Sequence, residues 1–442
     1  MLTRLQRALI SGREVVSEHN PTPLAPPDSY PASEIAALLR EVGTALVEVV
    51  QPTQLVRDRL LRIAQRYTSA EVRVVVLPTV LVIQVGDKGY EVSASTRSTT
   101  QLDLADRVEH IARLADFGAI TPADAVRALE EARAMPHRFR PLIRLIGYVI
   151  TTVGFSMIIN PTWASLWGHA FLGLIVGLIV LAAQPFPSLS AIVPTLAATA
   201  VTVLATWFVA DAANDGLMRV IAPSLVALLP GLALTVASME LAGSAMIAGA
   251  SRLVYGLVQL MLLVFGVAIG IAIAGKVAPQ PPSPQTGPWA FYAAILVIGV
   301  GLYFYLSAPR GSLLWLTAAV AVALVGQRVG ELFLSSAHAG ALGAALVLPF
   351  TVLASRFRSA PSASMLTIAA FWALVPGALS FESMSEAATS GTTNLTALSS
   401  TIGAIFSIAL GTLVSWSVLN AIWERAQRIQ SMPRIPGDNR RT

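Results

Sequence analysis

The chain contains no cysteine. That excludes disulfides, thiolate metal sites and thiol catalysis, and leaves the compartment open. Charge is also scarce: Asp, Glu, Lys and Arg make up 12% of the residues, too few for the surface of a soluble protein of this length. No Gly-x-Ser-x-Gly, His-Glu-x-x-His or phosphate-loop motif occurs, so neither hydrolase chemistry nor ATP-driven pumping is expected. His110 and His137 have no motif partner in the sequence, and no catalytic residue, metal or cofactor is assigned. No basic patch with interleaved aromatics appears, which argues against nucleic acid as a partner. The first thirty residues have no apolar run followed by a cleavage site. The N-terminus is therefore expected to stay in the cytoplasm.

Apolar residues, by contrast, make up 55% of the 442-residue chain, and the mean hydropathy is +0.67. The expected class is an integral membrane protein. The polar character is confined to the first part. Residues 1–31 read as a proline-rich, unstructured tail and 32–137 as a small cytoplasmic α+β domain. Ile35, Leu38, Leu39, Val42 and Leu46 form one helical stripe, with Ser33 as the expected N-cap and Gln51-Pro52 as the stop. Short β-branched runs at 72–77, 80–85 and 90–94 predict an antiparallel meander. Helices are expected at 102–117 and 122–134, the latter with Thr121 as N-cap and Pro122 at its first position.

From Leu142 onward the spacing predicts ten membrane spans, near 142–159, 164–183, 189–210, 218–239, 252–274, 289–307, 312–329, 337–355, 361–381 and 397–422. Placing the N-terminus inside puts Arg138, Arg140, Arg144, Arg252, Arg310, Arg356, Arg358, Arg425, Arg428 and Arg434 in cytoplasmic segments. Only Arg219, Lys276 and Arg328 then fall outside, which fits the positive-inside rule and puts both termini in the cytoplasm.

Two Pro-Gly pairs interrupt the apolar stretches, Pro230-Gly231 and Pro376-Gly377, 146 positions apart, each followed ten residues later by a glutamate, Glu240 and Glu386. The first and sixth spans are offset by 147. Equal offsets predict two five-span repeats, 138–275 and 289–423, joined by a proline-rich linker at 276–288 and followed by a basic tail at 424–442. Because five is odd, the second repeat would be inverted in the membrane. Broken helices facing one internal site are a recurrent plan of secondary transporters.

The segment Leu228-Leu229-Pro230-Gly231-Leu232-Ala233-Leu234-Thr235, continuing to Glu240-Leu241 and Gly249-Ala250-Ser251-Arg252-Leu253, resembles the threonine/serine exporter family. The N-terminal part is similar at Gly43-Thr44-Ala45-Leu46, Val56-Arg57-Asp58-Arg59-Leu60 and from Leu102 to Ala134, and the second half through Val375-Pro376-Gly377. The resemblance covers residues 33–423. It implies a soluble N-terminal domain joined to ten spans in the bacterial cytoplasmic membrane. It further implies proton-driven export of small hydroxy amino acids, with protons, the amino acid and the bilayer as partners and a homo-oligomer left open. Split relatives resemble dicarboxylate exporters, so a succinate-like substrate is the alternative. A non-transporting scaffold or sensor is the third reading.

Pro230, Gly231, Pro376 and Gly377 are the leading candidates for substrate binding. Unpaired N–H groups at a half-helix start suit a carboxylate, and freed carbonyls suit an ammonium group; the bland alternative is a packing kink. Thr235 and Arg252 join them, Arg252 being a partner either for Glu240 or for a substrate carboxylate, or else a plain positive-inside anchor. Glu240, Glu382 and Glu386 are the candidate gating or proton-coupling groups. Glu382 and Glu386 lie four apart, where repulsion would raise one pKa, though two solvated carboxylates read equally well. Gln327, Arg328 and Glu331 suggest a surface salt bridge, and Thr392 to Thr396 an outer loop. Gly173 and Gly177 suggest close helix packing, and Trp163, Trp167, Trp289 and Trp423 interfacial anchors.

Overall fold

The computed structural model describes residues 22–93, 100–209, 216–275, 284–335, 338–374, 403–419 and 421. Pro376, Gly377, Glu382, Glu386, the Thr392–Thr396 run, Trp423, residues 1–21 and the basic tail at 424–442 lie outside these residues. Residues 22–31, expected as part of an unstructured tail, are described and lie on the α+β part: the Leu24 N–H donates to the Gly118 carbonyl at 2.9 Å and the Asp28 N–H to the Tyr67 carbonyl at 2.8 Å.

The N-terminal part is α1 (Ala32–Glu48), α2 (Thr53–Tyr67), β1 (Val72–Val76), β2 (Val80–Val85), β3 (Lys88–Ser93), α3 (Leu102–Asp116) and α4 (Pro122–Ala134). The apolar stripe of α1 is wholly buried. Its cap is Pro31, whose carbonyl accepts the N–H groups of Glu34 and Ile35; Ser33 is already inside the first turn. The strands form an antiparallel sheet in the order β1-β2-β3, with Val74 opposite Ile83 and Ile83 opposite Tyr90. Leu81, Ile83 and Val85 point from one face into the core. α1 approaches that face closely at Gly43, where an added Cβ would lie 2.6 Å from Leu81. Arg59 bridges Glu109 and Asp116, each at 2.8 Å, and ties α2 to α3.

Thr121 caps α4, its Oγ1 accepting the Asp124 N–H at 3.1 Å. Thr121→Ala should cost about 1 kcal/mol. Hydrogen exchange in the first turn of α4 should then speed about fivefold, with α1 unchanged.

The apolar part contains α5 (Pro141–Ile159), α6 (Trp163–Ala183), α7 (Val193–Phe208), α8 (Leu217–Leu225), α9 (Gly231–Ala242) and α10 (Met246–Ala274). It continues with α11 (Trp289–Tyr305), α12 (Leu313–Gly330), α13 (Gly340–Ala354), α14 (Ala363–Leu374) and α15 (Gly403–Leu419). α5, α6, α10 and α12 are long and apolar enough to cross a membrane, and α8 with α9 makes a fifth if the bent pair is one span. The other five are apolar but shorter, so the described residues show four or five full-length spans where the sequence predicts ten. α7 illustrates why. A 3-10 turn at Pro187–Leu189 and Pro194 in its first turn delay its start, leaving 16 residues. At 1.5 Å per residue this is about 24 Å, short of a roughly 30 Å hydrocarbon core. Conversely, α10 begins at Met246, six residues before the expected start of the fifth span at Arg252.

Packing partners recur along the chain. α5 packs on α6, α8 on α6 and α7, and α10 on α7; in the same way α11 packs on α12, and α14 on α12 and α13. The close approach of α10 Gly266 to the Thr195 carbonyl on α7 has a counterpart in the approach of α15 Gly411 to the Ala341 carbonyl on α13, 145 and 146 positions along. The most extensive interface joins α5 to α11. There an added Cβ at Gly147 would lie 2.5 Å from the Tyr305 nitrogen, and one at Gly301 2.5 Å from the Thr151 nitrogen. Gly173 and Gly177 face Thr152 and Leu145 of α5 in the same manner. Trp163 and Trp289 are exposed, with tilted rings whose centroids lie 5.6 Å apart, and Trp167, one turn on from Trp163 in α6, is exposed too.

Candidate functional site at a helix break

Pro223 inside α8 removes a backbone donor, and the helix tightens into a 3-10 turn at Val226–Leu228. Leu229 is extended, Pro230 ends the interruption, and α9 restarts at Gly231, bent by 69° from the preceding segment. Pro230 offers no side-chain cap to α9, so among the described residues the N–H groups of its first turn are free of intrahelical and side-chain acceptors. In an apolar surrounding such a break persists only where a cavity or protein groups satisfy it.

A cavity of about 350 Å³ lies at this break. Pro230, Gly231, Leu232 and Ala233 line it, together with Arg144 of α5, Arg252 and Tyr255 of α10, Tyr305 of α11 and Trp372 of α14. The N-terminal part closes one side with Val50, Pro78, Thr79 and Thr100. Val50 is held at φ 62° in the turn between α1 and α2. A β-branched residue there is strained by about 1–2 kcal/mol. Among the described residues none that lines the cavity is acidic.

Gly256 of α10 sets the depth of the break: an added Cβ would lie 2.5 Å from Leu234 and 3.7 Å from Pro230. Gly256→Ala should therefore push α9 away and destabilise the protein by about 1–3 kcal/mol, seen as a lower thermal midpoint of the purified protein.

Of the candidates, Pro230, Gly231 and Arg252 line the cavity; Thr235 and Glu240 do not. The Thr235 hydroxyl is buried and donates to the Gly231 carbonyl at 3.0 Å, one turn back in its own helix. Glu240 is not an interfacial carboxylate in water. It is 2% exposed, and its Oε2 lies 3.1 Å from Nε of Arg252, itself 6% exposed. The other oxygen accepts the Thr53 N–H at 2.8 Å, at the start of α2. Glu240 thus places a negative charge on the positive end of a helix from the N-terminal part. Arg252 also reaches the Gln51 carbonyl at 3.5 Å, and the Gln54 amide donates to the Gly243 carbonyl.

The reverse arrangement holds α14. Asp106 of α3 accepts the Ser362 N–H at 2.7 Å just before α14 begins, and the Gln51 amide bonds both Glu109 and Ser364 at 3.1 Å. The Leu102 N–H donates to the Leu306 carbonyl at 2.9 Å. Beside that seam, burial raises the carboxyl pKa of Asp103 above its ordinary value. The same cause raises Asp116 despite its Arg59 partner.

Sequence reasoning missed Asp106, Thr53, Gln54 and the buried state of Arg144. The polar run Gln51-Pro52-Thr53-Gln54 was a signal, but only as a helix boundary. Arg328 and Glu331 form an exposed pair at 2.8 Å. Among the described residues no group of three or more His, Asp or Glu side chains is placed to hold a metal.

A family model described as "Putative threonine/serine exporter" matches residues 37–274, more than half of the chain. The chain belongs to this family. The match takes in the N-terminal α+β part from α1 onward, the helix break and the Glu240–Arg252 pair together. Membership and the long apolar helices make the chain a membrane protein of an exporter family. No curated protein and no solved structure matches it significantly.

Proposed function

We propose that the chain is a secondary active exporter of threonine and serine, driven by the proton gradient across a bacterial cytoplasmic membrane, with both termini inside. The observation that carries this reading is the cavity at the Pro230-Gly231 break. It joins an uncapped helix start, two arginines and aromatic walls in a chain of an exporter family. Uncapped N–H groups suit the carboxylate of an amino acid, and the carbonyls that follow Val226 at the break, whose own carbonyl accepts the Leu229 N–H, suit its ammonium group. Ten spans in two inverted repeats remain our reading of the architecture. The recurring helix neighbours and the paired glycine contacts support it, with the five short helices crossing at breaks or in locally thinned lipid.

In this reading the N-terminal α+β domain covers the cytoplasmic mouth. Glu240 is the coupling group: protonation weakens both its pairing with Arg252 and its cap on α2, which frees the domain to move. Glu382 and Glu386 take the corresponding role on the outer side. A dicarboxylate substrate is the second reading, favoured by the two arginines and by the lack of acidic groups among the described residues that line the cavity. A scaffold or sensor has no need of such a cavity.

Cells fed a threonine-containing dipeptide discriminate among these readings. With the protein present, intracellular threonine should fall and external threonine should rise. Unchanged accumulation would exclude the exporter of hydroxy amino acids, and altered succinate secretion in its place would favour the dicarboxylate.

A further inference from the structure

Arg144 is the cation on this cavity wall that no carboxylate among the described residues pairs directly; Asp103 acts on it only from beyond ion-pair distance. It lies in the first turn of α5, 6% exposed. Arg140, Arg310 and Arg358, also assigned to the cytoplasmic ends of spans, are exposed, as headgroup anchors should be. Arg252, the other arginine on the cavity wall, is neutralised by Glu240 at 3.1 Å. Arg144 has no carboxylate within 4.0 Å among the described residues. Among those residues its one hydrogen bond runs from Nη1 to Gln184 Oε1 at 3.5 Å, and its buried Nε finds no partner there.

Burying a guanidinium without a partner is strongly unfavourable, so a site that keeps one is built for an anion that arrives from outside. The other features of the cavity agree in sign. The α9 start presents uncapped N–H groups to the same cavity, and among the described residues no acidic side chain lines the space. Tyr305 and Trp372 stack edge to face at 6.1 Å and form an apolar wall that strengthens any charge pairing inside.

We propose that Arg144 binds the carboxylate of the transported molecule, through the two-pronged geometry that guanidinium and carboxylate share. This rests on the exporter reading given above. Arg144 is then the residue that separates carboxylate-bearing solutes from their neutral relatives.

The test measures ligand-induced thermal stabilisation of the purified full chain with threonine, threonine amide and succinate as probes. The proteins compared are the unaltered chain, Arg144→Gln, Arg144→Lys and the exposed control Arg140→Gln. Threonine should stabilise the unaltered chain and Arg140→Gln at the same concentration. Arg144→Gln should need at least tenfold more, and Arg144→Lys an intermediate amount because it keeps the charge but loses the fork. Threonine amide should bind weakly throughout and be indifferent to Arg144. Equal threonine response in Arg144→Gln and the unaltered chain would overturn the anchor while leaving the amino-acid reading intact. Equal losses for threonine and its amide would overturn it too. A response to succinate alone, lost in Arg144→Gln, would support the anchor and overturn the amino-acid substrate. No response of the unaltered chain to either carboxylate would overturn both. Should Arg144→Gln fail to fold, the Arg144→Lys comparison of threonine with its amide decides by the same criteria.

Discussion

Gly231→Leu is expected to lower threonine export by about two orders of magnitude, the scale on which misplacing bound groups by an ångström acts, while the protein still reaches the membrane. Gly231 opens α9, is buried, and lies on the cavity wall between Pro230 and Leu232. A leucine there adds four carbons where the first free N–H groups of α9 meet the cavity. Hydrophobicity of the segment rises, so insertion should be preserved. The two effects separate when export is divided by the amount of protein in the membrane fraction. Gly377→Leu should act alike if the second break serves the same site. Normal export by Gly231→Leu would mean that the break is a packing kink.

Breaking the Glu240–Arg252 pair should have the second large effect. Glu240→Ala leaves Arg252 buried without its counter-charge and strips the Thr53 N–H of its acceptor. Removing one partner of a buried pair costs about 3–5 kcal/mol, read as a fall in the thermal midpoint. The double variant Glu240→Ala/Arg252→Leu should recover much of this, because no buried charge is left alone. Recovery of stability without recovery of proton-driven export would separate the two roles of Glu240. Glu240→Gln keeps the shape and mimics the protonated carboxyl. It should therefore retain threonine exchange across liposomes but lose the acceleration by a pH gradient. Full acceleration in Glu240→Gln would remove Glu240 from the coupling.

Local pattern made much of this legible. The i, i+3, i+4 stripe of α1, the β-branched runs of the meander, the Thr121-Pro122 start and the Pro230-Gly231 break all act within a few residues, and the sequence displays them directly. Boundaries were less legible, because they turn on competing caps. Pro31 displaces Ser33 as the start of α1, and α10 begins at Met246 instead of Arg252. Long-range charge placement was not legible. Glu240 and Thr53 are 187 positions apart, and Asp106 and Ser362 are 256 apart. A span-by-span count of arginines treats Arg144 and Arg140 alike, although only Arg144 is buried. The second Pro-Gly pair and its glutamates lie outside the described residues.

The absence of cysteine gives the most direct test of the central claim, that the transported amino acid passes through the cavity at the break. Ala233→Cys would place a single thiol on the cavity wall of a chain that has no other. Labelling of that thiol by a small methanethiosulfonate reagent, in membranes, should slow as threonine is added and should be unaffected by an uncharged solute of similar size. A labelling rate indifferent to threonine, in a protein that still exports it, would contradict the account.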